Sequence, residues 1–429
     1  MERLGSRRSR RERGRLTHLQ RSRPQMDYFD RRGVQFLFLN LGHLYDHLFM
    51  LLYATAVVAM ARDPAFQGSY GFLLALSTAS FVAFGAGSIP AGWLGDKWSK
   101  HGMLTVFFIG IGTASILTGL ATGPYAVAAG LLAIGVFAAI YHPVGIAMVA
   151  ENARALGKEL GINGVFGNLG VAMAAIVAGT LTDLISWRAA FIIPGVVSIV
   201  TGVCYMVFSR NAPEPHHLAK KDKFIGATRA EVRRAIAVVL IASAPGMLIF
   251  NATTNALPKV FDERLGDLAS NLSQVGMWTF AVFLIASSAQ VMMGMMLDKY
   301  RLKPIYVTAV AFQAPAVFFV AFAYHIGMLG AAAAMMFVVF SIIPIHDTII
   351  ARFTNREFRS RVFALKYLVG LCVGAAALPT VGWLHTNMGG FQTVFLVLAA
   401  LAAFEAFVVF FLPSRDHLTQ AEPSVQPAE

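Results

Sequence analysis

Apolar runs of about twenty residues return twelve times along this chain, separated by short clusters of charge. Twenty helical residues reach across roughly 30 Å, the thickness of a bilayer's hydrocarbon. Charged residues make up 14% of the 429 positions and hydrophobic ones 57%, whereas a soluble domain carries about 25% charge. Stretches such as 72–84 and 331–343 have no polar face and no alternation. Barrel strands would alternate over about ten residues. Only helices and closed barrels satisfy their backbone groups in lipid, so the reading is an all-α membrane protein with twelve transmembrane helices. The runs place these helices at 34–61, 70–93, 103–121, 124–150, 160–182, 188–208, 235–257, 273–297, 304–323, 327–350, 360–384 and 390–412.

Twelve crossings put both termini on one side, and basic residues in loops mark the cytoplasmic side. The tails and the loops on the termini's side hold 30 of the 35 Lys and Arg, the opposite loops 4, and Lys366 lies inside a helix. Both termini are therefore expected in the cytoplasm of a plasma (inner) membrane protein. Residues 1–33 form a basic tail without the apolar core of a signal peptide, and Met26 is a second possible start. The tail's charge fits topology and anionic lipid; no nucleic-acid motif accompanies it. The 209–234 segment, rich in Pro and basic residues, reads as a cytoplasmic linker between helices 34–208 and 235–412, and 413–429 as a C-terminal tail. Cys204 and Cys372 have no metal-ligand or disulfide spacing and read as small apolar filler.

The two halves repeat. Gly92, Asp96 and Lys97 return as Gly294, Asp298 and Lys299; His142 returns as His346, Gly179 as Gly382 and Phe191 as Phe395, all at offsets of 202 to 204. Both copies of the Gly-x-x-x-Asp-Lys element fall on the same side of the membrane. That is the parallel repeat found between the halves of major facilitator proteins. Gly92, Asp96, Lys97 and Lys100 resemble that superfamily's signature between helices 2 and 3. The resemblance implies that the glycine permits a tight turn and that Asp96, Lys97 and Lys100 latch the halves together at the cytoplasmic face. Gly294, Asp298 and Lys299 form a partly degenerate second latch. Asn40, Gly42, His43, Asp46 and His47 in helix 1, with Tyr141, His142, Pro143 and Gly145 in helix 4, resemble motifs of the fosmidomycin-resistance-like exporters. Gly167, Asn168 and Gly170 resemble a nitrate-porter motif, but helices 2 and 8 lack the arginines of those porters, which argues against nitrate.

Ionisable residues inside transmembrane helices are functional candidates by default. His43, Asp46 and His47 share one face of helix 1. Desolvation and nearby cations act in opposite senses on a carboxylate, and imidazole titrates near neutrality, so Asp46 stands out as the principal proton-coupling acid, with a structural hydrogen-bonding role as the alternative. His142, His346, Asp347 and Lys366 are further candidates; Asp347 and Lys366 are placed to form an ion pair. Asn251 and Asn255, one turn apart on helix 7 near Pro245 and Gly246, are cavity-lining candidates. Glu405 either faces lipid or meets another helix. The glycines at 161, 164, 167 and 170 suit close helix packing. His43 and His47 resemble a helical metal pair, but two ligands need others, and no metal site or cofactor is expected.

No nucleotide loop or nucleophile constellation points to an enzyme. The expected function is secondary active transport by alternating access: proton-coupled export of a small organic molecule by a monomer. Transport of a metal ion or chelate is the alternative suggested by the helix-1 histidines. The alternative of another class is a transport-inactive membrane sensor or scaffold; such a protein usually carries an output module, and the short tails and linker show no obvious one.

Overall fold

The computed structural model describes residues 28–414, except 65, 67, 153–155, 211–227, 355–361, 363, 364, 367, 371 and 372. Most of the basic tail, the centre of the linker, Cys372 and the side chain of Asp298 therefore lie outside the described residues. The chain divides into two compact units, one up to Phe38 and one from Leu39 on, and the helical bundle belongs to the second.

Among the described residues, twelve helices are long and apolar enough to cross a membrane. They are α1 (Arg31–Met60), α2 (Tyr70–Lys97), α3 (Lys100–Gly119), α4 (Pro124–Asn152), α5 (Glu159–Leu184), α6 (Ala189–Ser209), α7 (Arg229–Arg264), α8 (Leu272–Leu297), α9 (Leu302–Val320), α10 (His325–Ile350), α11 (Leu368–Asn387) and α12 (Gly390–Val409). Their outer surface is apolar: Val196, Val200, Val203 and Val207 form an exposed stripe on α6, and Phe312 and Phe319 project from α9. A water-soluble protein rarely exposes such continuous apolar surface; lipid covers it at no cost.

Three helices depart from the sequence boundaries for local reasons. Helix α7 begins well before the apolar run, because Thr228 and Glu231 form a reciprocal capping box that starts the helix in polar sequence. It continues past Pro258 to Arg264, and its polar end is held by Lys259 pairing with Asp262 at 2.8 Å. Helix α2 is interrupted between Tyr70–Ala75 and Thr78–Lys97. Helix α4 contains a π-helical turn at Tyr141–Gly145. Pro143 lies in that turn, and a proline removes one N–H from the helical ladder and crowds the preceding turn.

Packing repeats with the sequence. Helix α3 lies on α6 and α2 on α4; six helices later, α9 lies on α12 and α8 on α10. The first six helices meet the last six through α5 against α8 and the start of α2 against α11. Part of these contacts lies on the face opposite the lysine-bearing turns at 97–100 and 299–303. There Arg62 pairs with Asp262, and Asp183 accepts hydrogen bonds from the Ser273 N–H at 2.5 Å and its hydroxyl at 2.7 Å. The repeat-related glycines Gly179 and Gly382 both lie at close approaches between the halves. A Cβ on Gly179 would strike the Leu272 carbonyl, and one on Gly382 would strike the Gly71 carbonyl. Trp187 is buried on this face against Phe66 and Phe191, while Trp93, Trp98 and Trp383 are exposed.

Gly179→Val should prise this face open. In a Cys204→Ser, Cys372→Ser background, spin labels at the exposed positions Leu184 and Ser270 should show a longer distance by pulsed EPR in the variant. An unchanged distance would mean that the glycine seam does not set the closure.

Candidate functional site

The fold gathers the helix-1 candidates with His142 of α4. The His43, His47 and His142 rings form a triangle with centroid separations of 5.1, 5.3 and 5.5 Å. One ligand-type atom from each lies within 4.8 Å of the others. His142 Nε2 is 3.2 Å from Asp46 Oδ2, and the Asp46 side chain is wholly buried while that of His142 is 30% exposed. Neither Asp46 oxygen has a partner at hydrogen-bonding angle among the described residues; the two groups are in ion-pair reach but poorly aligned.

Neighbouring residues hold this cluster in place. His43 Nδ1 is 2.8 Å from the Asn163 carbonyl oxygen of α5, which makes that nitrogen the N–H donor. The His43 ring stacks on Tyr141 at 5.0 Å and lies so close to α5 that a Cβ on Gly167 would stand 2.6 Å from its Nε2. Tyr141 donates to the Leu39 carbonyl at 2.7 Å, and the Asn163 amide donates to Asn40 Oδ1 at 3.0 Å. Of the four glycines expected to pack α5, Gly167 and Gly170 do so against α1, whereas Gly161 and Gly164 face open space. Beyond the cluster, the Asn168 amide of α5 donates to Gln290 of α8 at 2.9 Å.

The second-half candidates lie elsewhere. His346 is buried and hydrogen-bonded to Tyr306 of α9. Tyr306 donates to Glu405 Oε1 at 3.3 Å, and His346 Nε2 is 3.9 Å from the same oxygen. Glu405 is fully buried, so it meets other helices and not lipid. Asp347 accepts from Lys366 Nζ at 2.6 Å; its side chain is 39% exposed and that of the lysine 6%. Asn251 and Asn255 are buried on α7 and donate back to the Met247 and Asn251 carbonyls.

The latch residues need one correction. The resemblance puts Gly92 in a turn, but α2 stays helical to Lys97. Gly92 instead lets Pro143 of the π-helical turn approach, 3.2 Å from where a Cβ would sit. Lys100 is buried and bonded to Glu151 at 2.5 Å, with the largely exposed Asp96 3.8 Å away. Lys97 and Lys299 are exposed, and Gly294 has open space around it. Glu151, Asn163, Tyr306 and Gln290 are contributors that sequence reasoning missed. Each is an ordinary helix residue whose partner comes from another helix. Only the His142–Pro143 pair carried a local signal, of helix irregularity.

Helices arranged as a repeat around buried polar groups define a membrane transporter. The Major Facilitator Superfamily profile matches residues 39–270 and 265–428, and the chain belongs to that superfamily. By that membership it is a transporter and not an enzyme. A puromycin resistance protein of Streptomyces alboniger is 30% identical over 114 residues, 26% of this chain and 23% of that one. A probable actinorhodin transporter of Streptomyces coelicolor is 27% identical over 165 residues, covering 37% and 28%. A probable sulfoacetate transporter of Cupriavidus necator is 26% identical over 200 residues, covering 44% and 46%. The chain thus spans less than half the length of each of these relatives. Among solved structures, a D-xylose–proton symporter superposes with a TM-score of 0.73 at 15% identity, over 90% of this chain and 99% of that one. An inward-facing bacterial homologue of the lysosomal transporter Spinster gives 0.69 at 14%, over 91% and 95%. At such identities the likeness concerns the fold alone.

Asp96 is 65% exposed, so Asp96→Asn should change stability by less than about 1 kcal/mol; any loss of transport would then come from cycling. Lys100→Met strips a buried carboxylate of its lysine and should lower the thermal midpoint clearly more. Melting curves of the two variants in detergent, beside their transport rates, check this ordering.

Proposed function

We propose that this protein is a proton-coupled exporter of a small organic molecule, working as a monomeric antiporter by alternating access. Its halves, 34–208 and 235–412, rock as two bodies joined by the 209–234 linker, in a plasma (inner) membrane with both termini cytoplasmic. The observation that carries this reading is the glycine seam: Gly179 and Gly382, one from each half, meet carbonyls of the opposite half on one face of the membrane. A contact made of close-packed backbone together with a few polar pairs, such as Arg62 with Asp262, can part and re-form as a unit. The 30-to-4 partition of basic residues supports the sidedness. Small organic cargo is supported by the names of the relatives, a puromycin resistance protein and probable actinorhodin and sulfoacetate transporters. The resemblance to fosmidomycin-resistance-like exporters points the same way.

One elementary charge moved through 100 mV is worth about 2.3 kcal/mol, enough for a gradient of roughly fifty-fold at about 1.4 kcal/mol per decade. The sequence favours Asp46 as the coupling acid. Asp46 and Glu405 are fully buried, whereas the Asp347 side chain is 39% exposed and paired with Lys366 across two helices. Asp347 is open to solvent in this conformation and its protonation would release the lysine, which supports Asp347 as the coupling acid. Lys366 then acts as its partner.

Everted vesicles containing the protein should take up puromycin, the first probe, when their lumen is acidified, and a protonophore should abolish the uptake. Asp347→Asn should reduce pH-driven accumulation from as much as roughly fifty-fold toward unity while puromycin exchange persists. Coupling lost in Asp46→Asn but kept in Asp347→Asn would return the role to Asp46. No protonophore-sensitive movement of puromycin, fosmidomycin or sulfoacetate would reject the export reading.

A further inference from the structure

We propose that His43, His47 and His142 form a binding site for a divalent transition-metal ion of the zinc and cobalt kind. Sequence alone offers two histidines on one helix; the fold adds a third from α4, with a ligand-type atom from each residue within 4.8 Å of the others. Nitrogens bound to zinc at about 2.0–2.1 Å stand roughly 3.3 Å apart, so small side-chain rotations close the remaining gap. Three imidazoles with a fourth position left open match the ligand number of zinc sites that keep water or a small molecule as fourth ligand. Magnesium and calcium prefer oxygen ligands; imidazoles suit zinc, copper, iron and nickel.

Three further observations point to a cation. Metal-bound histidines almost always donate their second N–H to a carbonyl or carboxylate, and His43 already places Nδ1 2.8 Å from the Asn163 carbonyl. That leaves its Nε2 with the lone pair. His142 Nε2 lies 3.2 Å from Asp46, an arrangement of carboxylate and histidine that leaves Nδ1 for the metal. Finally, the Asp46 carboxylate is wholly buried and lacks a well-aligned hydrogen-bond partner among the described residues. A buried carboxylate is costly inside a membrane unless positive charge lies close by, and a dication across the imidazoles would supply that charge while His142 stays neutral. The π-helical turn at Tyr141–Gly145 sets His142 with its side chain 30% exposed, which gives the ion a way in. Asp46 is here a positioning residue. The site stands independently of the export reading, since an ion can bind whether or not the protein moves it.

The test is a cobalt(II) titration of the purified, untagged full chain in detergent, read by visible absorption and by zinc(II) competition. The expected result is a saturable signal from one cobalt per chain with the strong absorption of a four-coordinate site, displaced by zinc. His47→Gln and His142→Ala should each weaken binding by at least roughly 100-fold, and Asp46→Asn by about 10–100-fold, as loss of an orienting partner does. A wild-type protein without a saturable signal overturns the proposal. So does an undiminished signal in the His43→Ala, His47→Ala, His142→Ala triple variant, which would place the metal on histidines elsewhere. Gel filtration and the thermal midpoint in EDTA establish that the variants are folded. Should the triple variant fail that check, the partly exposed His47→Gln decides alone, and unchanged cobalt affinity in it overturns the proposal.

Discussion

Hydrocarbon offers no hydrogen bonds, and this structure is arranged around that deficit. Each polar group inside the bundle must find its partner on another helix or fold back onto its own. The buried asparagines of α7 fold back, donating to the Met247 and Asn251 carbonyls. Asn163 reaches across to α1 and to Tyr141 of α4. Lys100 reaches Glu151, and Tyr306 sits between His346 and Glu405. Asp46 is the buried carboxylate for which this pairing is least complete, and it lies beside the largest gathering of imidazoles.

The repeat is kept where geometry demands it and abandoned where chemistry is local. Gly179 and Gly382 occupy equivalent places in the seam, because two helices crossing backbone to backbone tolerate no side chain there. The histidines at 142 and 346 are also equivalent in sequence, and each has a wholly buried carboxylate within 4 Å. The carboxylates come from helices that the repeat does not relate, α1 for Asp46 and α12 for Glu405. The surroundings differ accordingly: three imidazoles in the first half, a tyrosine hydroxyl in the second. A shared scaffold has thus acquired two unlike polar centres.

Those centres show where sequence reasoning stops. His43, Asp46 and His47 fall on one helix face by spacing alone, and Pro143 beside His142 announces an irregular turn. Nothing in the sequence says that this turn faces α1, or that Asn163 orients His43, because both contacts join helices distant along the chain. Glu405 illustrates the same limit. Its helix is apolar all round, so periodicity cannot distinguish a lipid-facing position from a buried one. The early start of α7 follows from Thr228 and Glu231, a capping pattern legible in the sequence but overlooked when helix ends are set by hydropathy.

The sequence by itself determined the number of crossings, their approximate limits, the internal repeat and the set of intramembrane charges. Those properties follow from helix length against bilayer thickness and from the cost of charge in lipid. The tertiary structure alone decided which charges meet and which glycines touch the opposite half. These depend on how each helix is rotated about its own axis, and in a helix without a polar face nothing in the local sequence fixes that rotation.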